Sequence, residues 1–419
     1  MTIFGFLETY LPNNEKKINK ILLFFIYFIP IALLSGSFVI NFFIIFINFF
    51  FIVIIIEEKN YRIFKDKYLL PISFFFIYIL CNLLFSIDIF NSIPRTLGFI
   101  RFIILAYAIK YCFQLNKSKY QNKILSIWAL IFFIVSFDLI FETITGFNIL
   151  GNKSYMQGRL SSFLGHELKI GGFYHGFMLI IVAFIFFRSP NFLGFLSIIA
   201  FATIILLIGE RSNFLKAMLS LTLFFLFFNE EFLIKKKVFT LILIIILFSL
   251  ILTKSESKKS RYNDVYNHVI KHGFISSLYQ SHNFAHVYTA YKIFLNYPVF
   301  GIGINNFRYE CDKEIYKNEK LAYNQGRCST NPHQYFFEIL SETGIVGTLL
   351  FVVVFFYILL GNFISYLKNK NLLQLACLSF LASSLIPFFP SGSFFTTYNA
   401  TIFWLNIGII LSFKKSSLK

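Results

Sequence analysis

Long apolar runs without a single charge place the strongest constraint on what this chain can fold into. Residues 38–56 and 238–252 contain no Asp, Glu, Lys or Arg, and a helix that crosses a bilayer needs roughly 20 mainly apolar residues. Of the 419 residues, 57% are hydrophobic and 14% charged, which is more apolar surface than a soluble core can bury. We therefore predict an all-α, polytopic membrane protein that lies in a lipid bilayer.

Hydropathy predicts about twelve transmembrane helices. They lie near residues 21–36, 38–56, 69–87, 94–113, 124–144, 170–187, 192–208, 212–228, 237–253, 344–366, 371–387 and 399–413. The spans predict three regions: an N-terminal transmembrane bundle (1–253), a long loop with short helices (254–343) and C-terminal transmembrane helices (344–419).

Basic residues alternate between the two ends of these spans. If the N-terminus is cytoplasmic, most short basic segments fall inside and few basic residues fall in the short outside loops, which agrees with the positive-inside rule. The outside ones are Arg95, Lys153, Arg159, Lys169 and Arg211. We predict that both termini are inside and that the long loop is outside. The net charge of +18 then reflects topology, and nucleic acid is not an expected partner.

Two of the five cysteines, Cys311 and Cys328, lie in the long external loop. Because that compartment is oxidising, we predict a disulfide that closes the segment just before His333; two free thiols are the alternative. The spacing of cysteines and histidines resembles no metal site, and we expect no cofactor.

Residues 328–347 bring together groups that can carry chemistry. Pro332 disfavours helix in the residue before it, so His333 is predicted at or near a helix start. Glu338 and Glu342 follow at a spacing that places them on one helix face. The segment lies at the predicted outer membrane surface, where a substrate with a lipid tail and a polar head can be met.

Four motifs together resemble a known family. They are Arg159-Leu160-Ser161-Ser162-Phe163, Gly209-Glu210-Arg211-Ser212, Pro298-(x)2-Gly301-(x)-Gly303-(x)3-Phe307 and Pro332-His333-(x)4-Glu338-Ile339-Leu340-(x)-Glu342-(x)-Gly344-(x)2-Gly347. With the many spans and the long loop, they resemble the O-antigen ligase/O-antigen polymerase superfamily over most of the chain. Two departures stand out. Gln334 stands where the family often has Asn, and His282, Asn283 and His286 occupy a stretch where many relatives carry arginine.

The resemblance implies a GT-C-like helical membrane fold in the bacterial inner membrane. It implies metal-independent transfer of a glycan from an undecaprenyl-pyrophosphate donor to an acceptor, lipid A core or growing glycan, on the periplasmic face. Carried onto this chain, it implies that His333 activates the acceptor hydroxyl while Arg159 and Arg211 hold the pyrophosphate. Arginine suits this role because its planar fork of donors stays charged, and histidine titrates near neutrality.

Three further residues are candidates for contacting pyrophosphate or glycan. Arg101 lies inside a predicted span, where burial of an ionisable group is costly; Arg308 follows the glycine pair; Glu342 follows His333. Structural alternatives remain open: snorkelling for Arg101, helix solvation for Glu342, a packing histidine at position 333, and loop cations or surface ion pairs for the two motif arginines.

A transporter or flippase of lipid-linked oligosaccharide is the competing hypothesis. It would distribute charged residues through several spans, with broken helices at the midplane. The candidate residues instead cluster at one predicted face beside one long loop, which favours the enzyme. The sequence does not separate ligase, polymerase and protein glycosylation.

Overall fold

The computed structural model describes residues 17–59, 61, 65–115, 117–165, 167–189, 191–228, 234–254, 267, 269–271, 273–387 and 389–413. Within these ranges the chain is helical and has no β-strand, which confirms the all-α prediction. The helices are α1 (Lys17–Tyr27), α2 (Ile29–Leu34), α3 (Ser37–Glu58), α4 (Leu69–Cys81), α5 (Ile89–Gly98), α6 (Ile100–Gln114), α7 (Lys117–Thr145), α8 (Ile170–Arg188), α9 (Asn191–Ile208), α10 (Arg211–Phe227), α11 (Ile234–Lys254), α12 (Phe274–Tyr279), α13 (His282–Asn296), α14 (Phe307–Glu310), α15 (Tyr335–Asn369), α16 (Leu372–Ser384) and α17 (Thr397–Leu411).

Helices cover each of the twelve predicted spans. Within the described ranges, six helical stretches are long and apolar enough to cross a membrane: Ser37–Glu58, Ile89–Gln114, Lys119–Thr145, Ile170–Arg188, Asn191–Ile208 and Tyr335–Asn369. Shorter apolar helices cover Leu69–Phe85, Leu372–Ser384 and Thr397–Leu411. The protein is thus a polytopic helical membrane protein, and a count of twelve crossings stays a prediction.

Helix α3 shows how the bundle divides its surface between protein and lipid. One face packs into the core, and the other presents large apolar side chains at helical spacing to the outside. The exposed ones are Phe38, Phe42, Ile45, Phe49, Ile52 and Ile56. An apolar stripe of this length is costly in water and is suited to contact with lipid.

Helix α17 occupies the centre of the bundle. Every residue from Ala400 to Phe413 is buried, as expected for a helix that is apolar all round. It packs against α6 and α16, and α16 in turn packs against α8 and α10. This arrangement fixes the position of the loop 390–396, which precedes α17 and forms one wall of the candidate site.

Helix α15 is broken at Gly344, whose backbone (φ 66°, ψ −168°) is not helical. A Cβ atom at this position would overlap the carbonyl of Val299. Just after the break, the amide of Ile345 donates a hydrogen bond to the Pro298 carbonyl (2.8 Å). Just before it, the Glu342 carbonyl accepts a hydrogen bond from the amide of Gly303 (2.8 Å). The two glycine motifs of the sequence therefore meet backbone to backbone.

The part of the long loop from residue 281 to 333, here termed the loop lobe, has a small core of its own. The core consists of Ala290, Ile293, Ile302, Phe307, Cys311 and Tyr316. Cys311 and Cys328 are bonded as a disulfide, with Cα atoms 5.1 Å apart. The lobe docks on α15 through α13, so its geometry relative to the bundle is defined by packing.

Candidate active site

A cavity of about 720 Å³ lies where several helix ends meet. The N-terminal ends of α3, α8, α10, α15 and α17, the C-terminal end of α16 and the α5–α6 junction surround it. These are the ends that the charge pattern predicts to be periplasmic. Its charged and imidazole lining residues are Arg95, Arg101, Arg159, Lys169, Lys216, His175, His333 and Glu210. Five cations thus share the cavity with one carboxylate.

Hydrogen bonds to the backbone of His333 hold this residue at the cavity. It adopts a left-handed conformation (φ 55°), which is rare for a residue with a Cβ atom. Its amide donates to Asn331 Oδ1 (2.8 Å), and its carbonyl accepts from the amides of Ser391 (2.8 Å) and Gly392 (3.2 Å). Its Nε2 atom lies 2.9 Å from Ser329 Oγ. Such strain persists only where surrounding contacts enforce it, and it is often found at functional sites.

The His333 imidazole is neutral at neutral pH. Burial, with further contributions from the neighbouring imidazoles of His286 and His282, lowers the pKa of His333 to about 4. Burial disfavours the charged form of a histidine, and nearby groups that carry positive charge when protonated add to this effect. A neutral imidazole retains a lone pair, so His333 can accept a proton from a hydroxyl group in the cavity.

The two arginine motifs lie in direct backbone contact. The Leu160 amide donates to the Ile208 carbonyl (3.0 Å). Gly209 has a positive φ of 76°, and a Cβ atom there would overlap the Gly158 carbonyl. This contact places Arg159 and Glu210 beside one another at the cavity wall.

The Arg159 guanidinium is oriented by two groups. Its Nη2 atom donates to the Leu168 carbonyl (2.8 Å) and lies 3.4 Å from Glu210 Oε1. Its Nε atom is buried and has no hydrogen-bond partner among the described residues. The ion pair with Glu210 leaves some N–H groups of the guanidinium without a partner, so Arg159 can donate hydrogen bonds to a further anion.

Two carboxylates on α7 hold the backbone around Arg159. Glu142 accepts hydrogen bonds from the amides of Ser161 (3.1 Å) and Ser162 (2.8 Å). Asp138 accepts from Ser162 Oγ (2.5 Å) and from the Ile149 amide (2.7 Å). Both are buried. The sequence analysis missed them, although two carboxylates one turn apart at the end of an apolar span are a recognisable signal.

Arg101 and Arg95 approach the cavity from the α5–α6 junction. Arg101 Nη2 donates to Thr397 Oγ1 (3.2 Å), and its guanidinium lies over the Phe102 ring (4.6 Å). The Arg95 Nη1 atom is buried without a hydrogen-bond partner among the described residues. The sequence analysis treated Arg95 only as an external loop charge. Both guanidinium groups therefore have donor capacity left for a ligand.

Lys216 on α10 lines the cavity and is buried. It makes no hydrogen bond or ion pair with the part of the chain that the structure describes. Glu210, the carboxylate that acts on Lys216 electrostatically, is engaged by the Gly171 amide (3.1 Å), by Asn213 Nδ2 (2.5 Å) and by Arg159. A buried ammonium without a partner is costly, which marks this position as a place for an anion.

Residues 195–352 match the family model described as O-Antigen ligase. This match supports the resemblance to the O-antigen ligase/O-antigen polymerase superfamily that the sequence motifs carry. No curated protein matches the chain. The matched segment contains the second arginine motif, both glycine motifs and His333, whereas Arg101 and Arg159 precede it.

Three residues that the superfamily resemblance and the sequence singled out do not line the cavity. Arg211 is exposed at the first position of α10, because Glu210, Asn213 and Lys216 occupy the helix face turned toward the cavity. Arg308 lies at the rim, where its Nη2 atom donates to the carbonyl of the cavity residue Thr330 (3.3 Å).

Glu342 is the third of these residues, and its contacts are with the backbone. Its carboxylate is buried, and Oε1 accepts a hydrogen bond from the Phe307 amide (3.3 Å). Glu338, one turn earlier, accepts from Ser393 Oγ (2.5 Å) and from the Phe394 amide (2.6 Å). Glu338 thereby fixes the loop whose amides hold the His333 carbonyl. Both carboxylates act on the geometry of the site from inside the protein.

Proposed function

We propose that this protein is a membrane glycosyltransferase of the GT-C-like class. It moves a glycan from an undecaprenyl-pyrophosphate carrier to an acceptor, a lipid A core sugar or a growing polysaccharide, on the periplasmic face of the bacterial inner membrane. The observation that carries the proposal is a single cavity in which a neutral, strained His333 is combined with five cations. The match of residues 195–352 to the O-Antigen ligase family model supports it.

The cations stabilise the leaving group. In glycan transfer the bond between the anomeric carbon and the phosphate oxygen breaks, and the lipid pyrophosphate leaves with one more negative charge. Fixed donors aimed at developing charge are usually a large catalytic contribution. Arg101, Arg159 and Arg95 have free donor capacity in the cavity, and Lys216 adds a point charge. The proposal assigns them to the pyrophosphate, with no metal ion required.

His333 acts on the acceptor. As the acceptor oxygen forms its bond to the anomeric carbon, the hydroxyl proton moves to the neutral imidazole. Ser329 orients the ring through its contact with Nε2. The Arg308 side chain at the rim is assigned to the glycan, and Arg211 is assigned to guiding the anionic head group to the cavity.

The test is glycan transfer by the purified protein. A lipid-pyrophosphate-linked oligosaccharide is supplied with candidate acceptors and EDTA, and the wild type is compared with His333→Ala and His333→Gln. We expect transfer by the wild type and a loss of at least about a hundredfold in both variants, with unchanged thermal unfolding. The acceptor that is used separates ligase from polymerase.

Two results would contradict the proposal. Transfer by His333→Ala at the wild-type rate would remove His333 from the chemistry. Absence of transfer by any form, combined with passage of lipid-linked glycan across the bilayer of proteoliposomes, would identify a flippase.

A further inference from the structure

Three imidazole rings form a row that runs from the cavity to the surface of the loop lobe. The ring centroids of His333 and His286 lie 5.2 Å apart, and those of His286 and His282 lie 4.7 Å apart. His333 lines the cavity, His286 is almost fully buried and His282 is exposed. The row therefore connects the proposed base with solvent through a buried middle member.

The middle imidazole has a defined tautomer. His286 Nδ1 lies 2.9 Å from the carbonyl oxygen of Arg327, and because a carbonyl can only accept, Nδ1 carries the hydrogen. The neutral ring then has its lone pair on Nε2. Burial, together with His282, lowers the pKa of His286 below its ordinary value. His286 can thus take up a proton at Nε2 and releases it readily.

The charges around the row favour movement of a proton away from the cavity. The charged residues that line the cavity on the other side of His333 are Arg95, Arg101, Arg159, Lys169, Lys216 and Glu210. This excess of cations repels a proton held on His333. On the lobe side, Arg327 is engaged by the carbonyls of Asn324 and Asp312, and Tyr323 packs on the His282 ring at 5.2 Å.

We propose that His286 and His282 are relay residues that carry the proton from His333 to solvent after each transfer. The inference rests on the proposed function. The acceptor proton passes from the imidazolium of His333 to Nε2 of His286, then to His282, and from there to water, directly or through single bridging waters. No other bond changes, and all three rings return to the neutral form for the next turnover.

The variant His286→Asn tests this relay, because its side-chain amide can still donate to the Arg327 carbonyl but cannot carry a proton. We expect kcat to fall about tenfold or more while KM for the lipid-linked donor stays unchanged. Imidazole added at constant pH restores part of the rate of His286→Ala. His282→Asn loses less, because water reaches the exposed end of the row.

The pH profile distinguishes a relay from an indirect role. A relay lowers the plateau of kcat. If His286 only tuned the pKa of its neighbour, His286→Asn would keep the wild-type plateau and only shift the acid limb, and this result, or a fully wild-type profile, would overturn the inference. Failure of the proposed function is recognised separately, since His333→Ala would then transfer like the wild type or no form would transfer.

Discussion

At the residue scale, Lys216 gives a sharp test because its effects on binding and on stability have opposite signs. Lys216→Met keeps the length of the side chain and removes a buried charge that has no described partner. Loss of a charge-assisted contact to phosphate costs about 1.5–3 kcal/mol, so we expect affinity for a prenyl pyrophosphate to fall by roughly tenfold to a hundredfold. Titration of the purified protein with geranyl pyrophosphate measures this.

The stability of the same variant supplies its internal control. Replacement of a buried, unpaired charge by an apolar side chain is neutral or stabilising, so the thermal unfolding temperature should stay the same or rise. Lys317→Met, which removes a surface ion pair with Glu314, should leave both affinity and stability unchanged. Unaltered affinity of Lys216→Met would show that the ammonium does not contact the phosphates.

The contrast between Lys216 and Arg211 shows what a sequence motif can and cannot locate. The motif placed this helix start correctly beside the cavity. It could not decide which side chain points inward, because successive helical residues differ by about 100° in direction. Glu210, Asn213 and Lys216 share the inner face, and Arg211 falls outside it. The sequence therefore predicts the location of the site better than its individual contacts.

At the element scale, the break in α15 is the feature that depends most on a single residue. Gly344→Ala would introduce a Cβ atom at a backbone conformation that is open essentially only to glycine, and that atom would overlap the Val299 carbonyl. We expect a loss of at least about 2 kcal/mol of stability, measured by thermal or denaturant unfolding in detergent, together with loss of transfer activity.

The matched control for this change is Gly151→Ala. Gly151 also has a positive φ (81°), but a Cβ atom there meets no other atom within 4 Å. It should lose about 1 kcal/mol and keep its activity. Equal effects of the two substitutions would mean that the contact between the glycine motifs contributes nothing beyond backbone strain.

Helix positions were predictable from the sequence, whereas the partners of buried carboxylates were not. Apolar runs of the right length specify helices in a bilayer directly. The sequence predicts Glu338 and Glu342 on one helix face, with Glu342 contacting a ligand or solvating the helix. Both are buried because loops distant in sequence supply their hydrogen bonds: Ser393 and Phe394 for one, Phe307 for the other. Only the folded arrangement reveals such pairs.

At the scale of the whole molecule, the cavity exists because helix ends from both halves of the chain converge. Arg101, Arg159 and His333 come from segments that are far apart in the sequence, yet they line the same space. The predicted topology permits this, because it places the end of each contributing helix on the same side of the membrane. Spatial convergence of these residues thus agrees with a charge pattern that was derived without any contact information.

The orientation of the bundle leads to a test of that charge pattern. Lys153 and Lys368 are both exposed and are predicted on opposite sides of the membrane. In a variant whose free cysteines are replaced by alanine, Lys153→Cys should react with a membrane-impermeant maleimide in intact spheroplasts, because its loop faces the periplasm. Lys368→Cys should react only after the membrane is permeabilised, which also shows that the site is reactive. The reverse pattern would place the basic cavity in the cytoplasm, where a periplasmic acceptor could not reach His333.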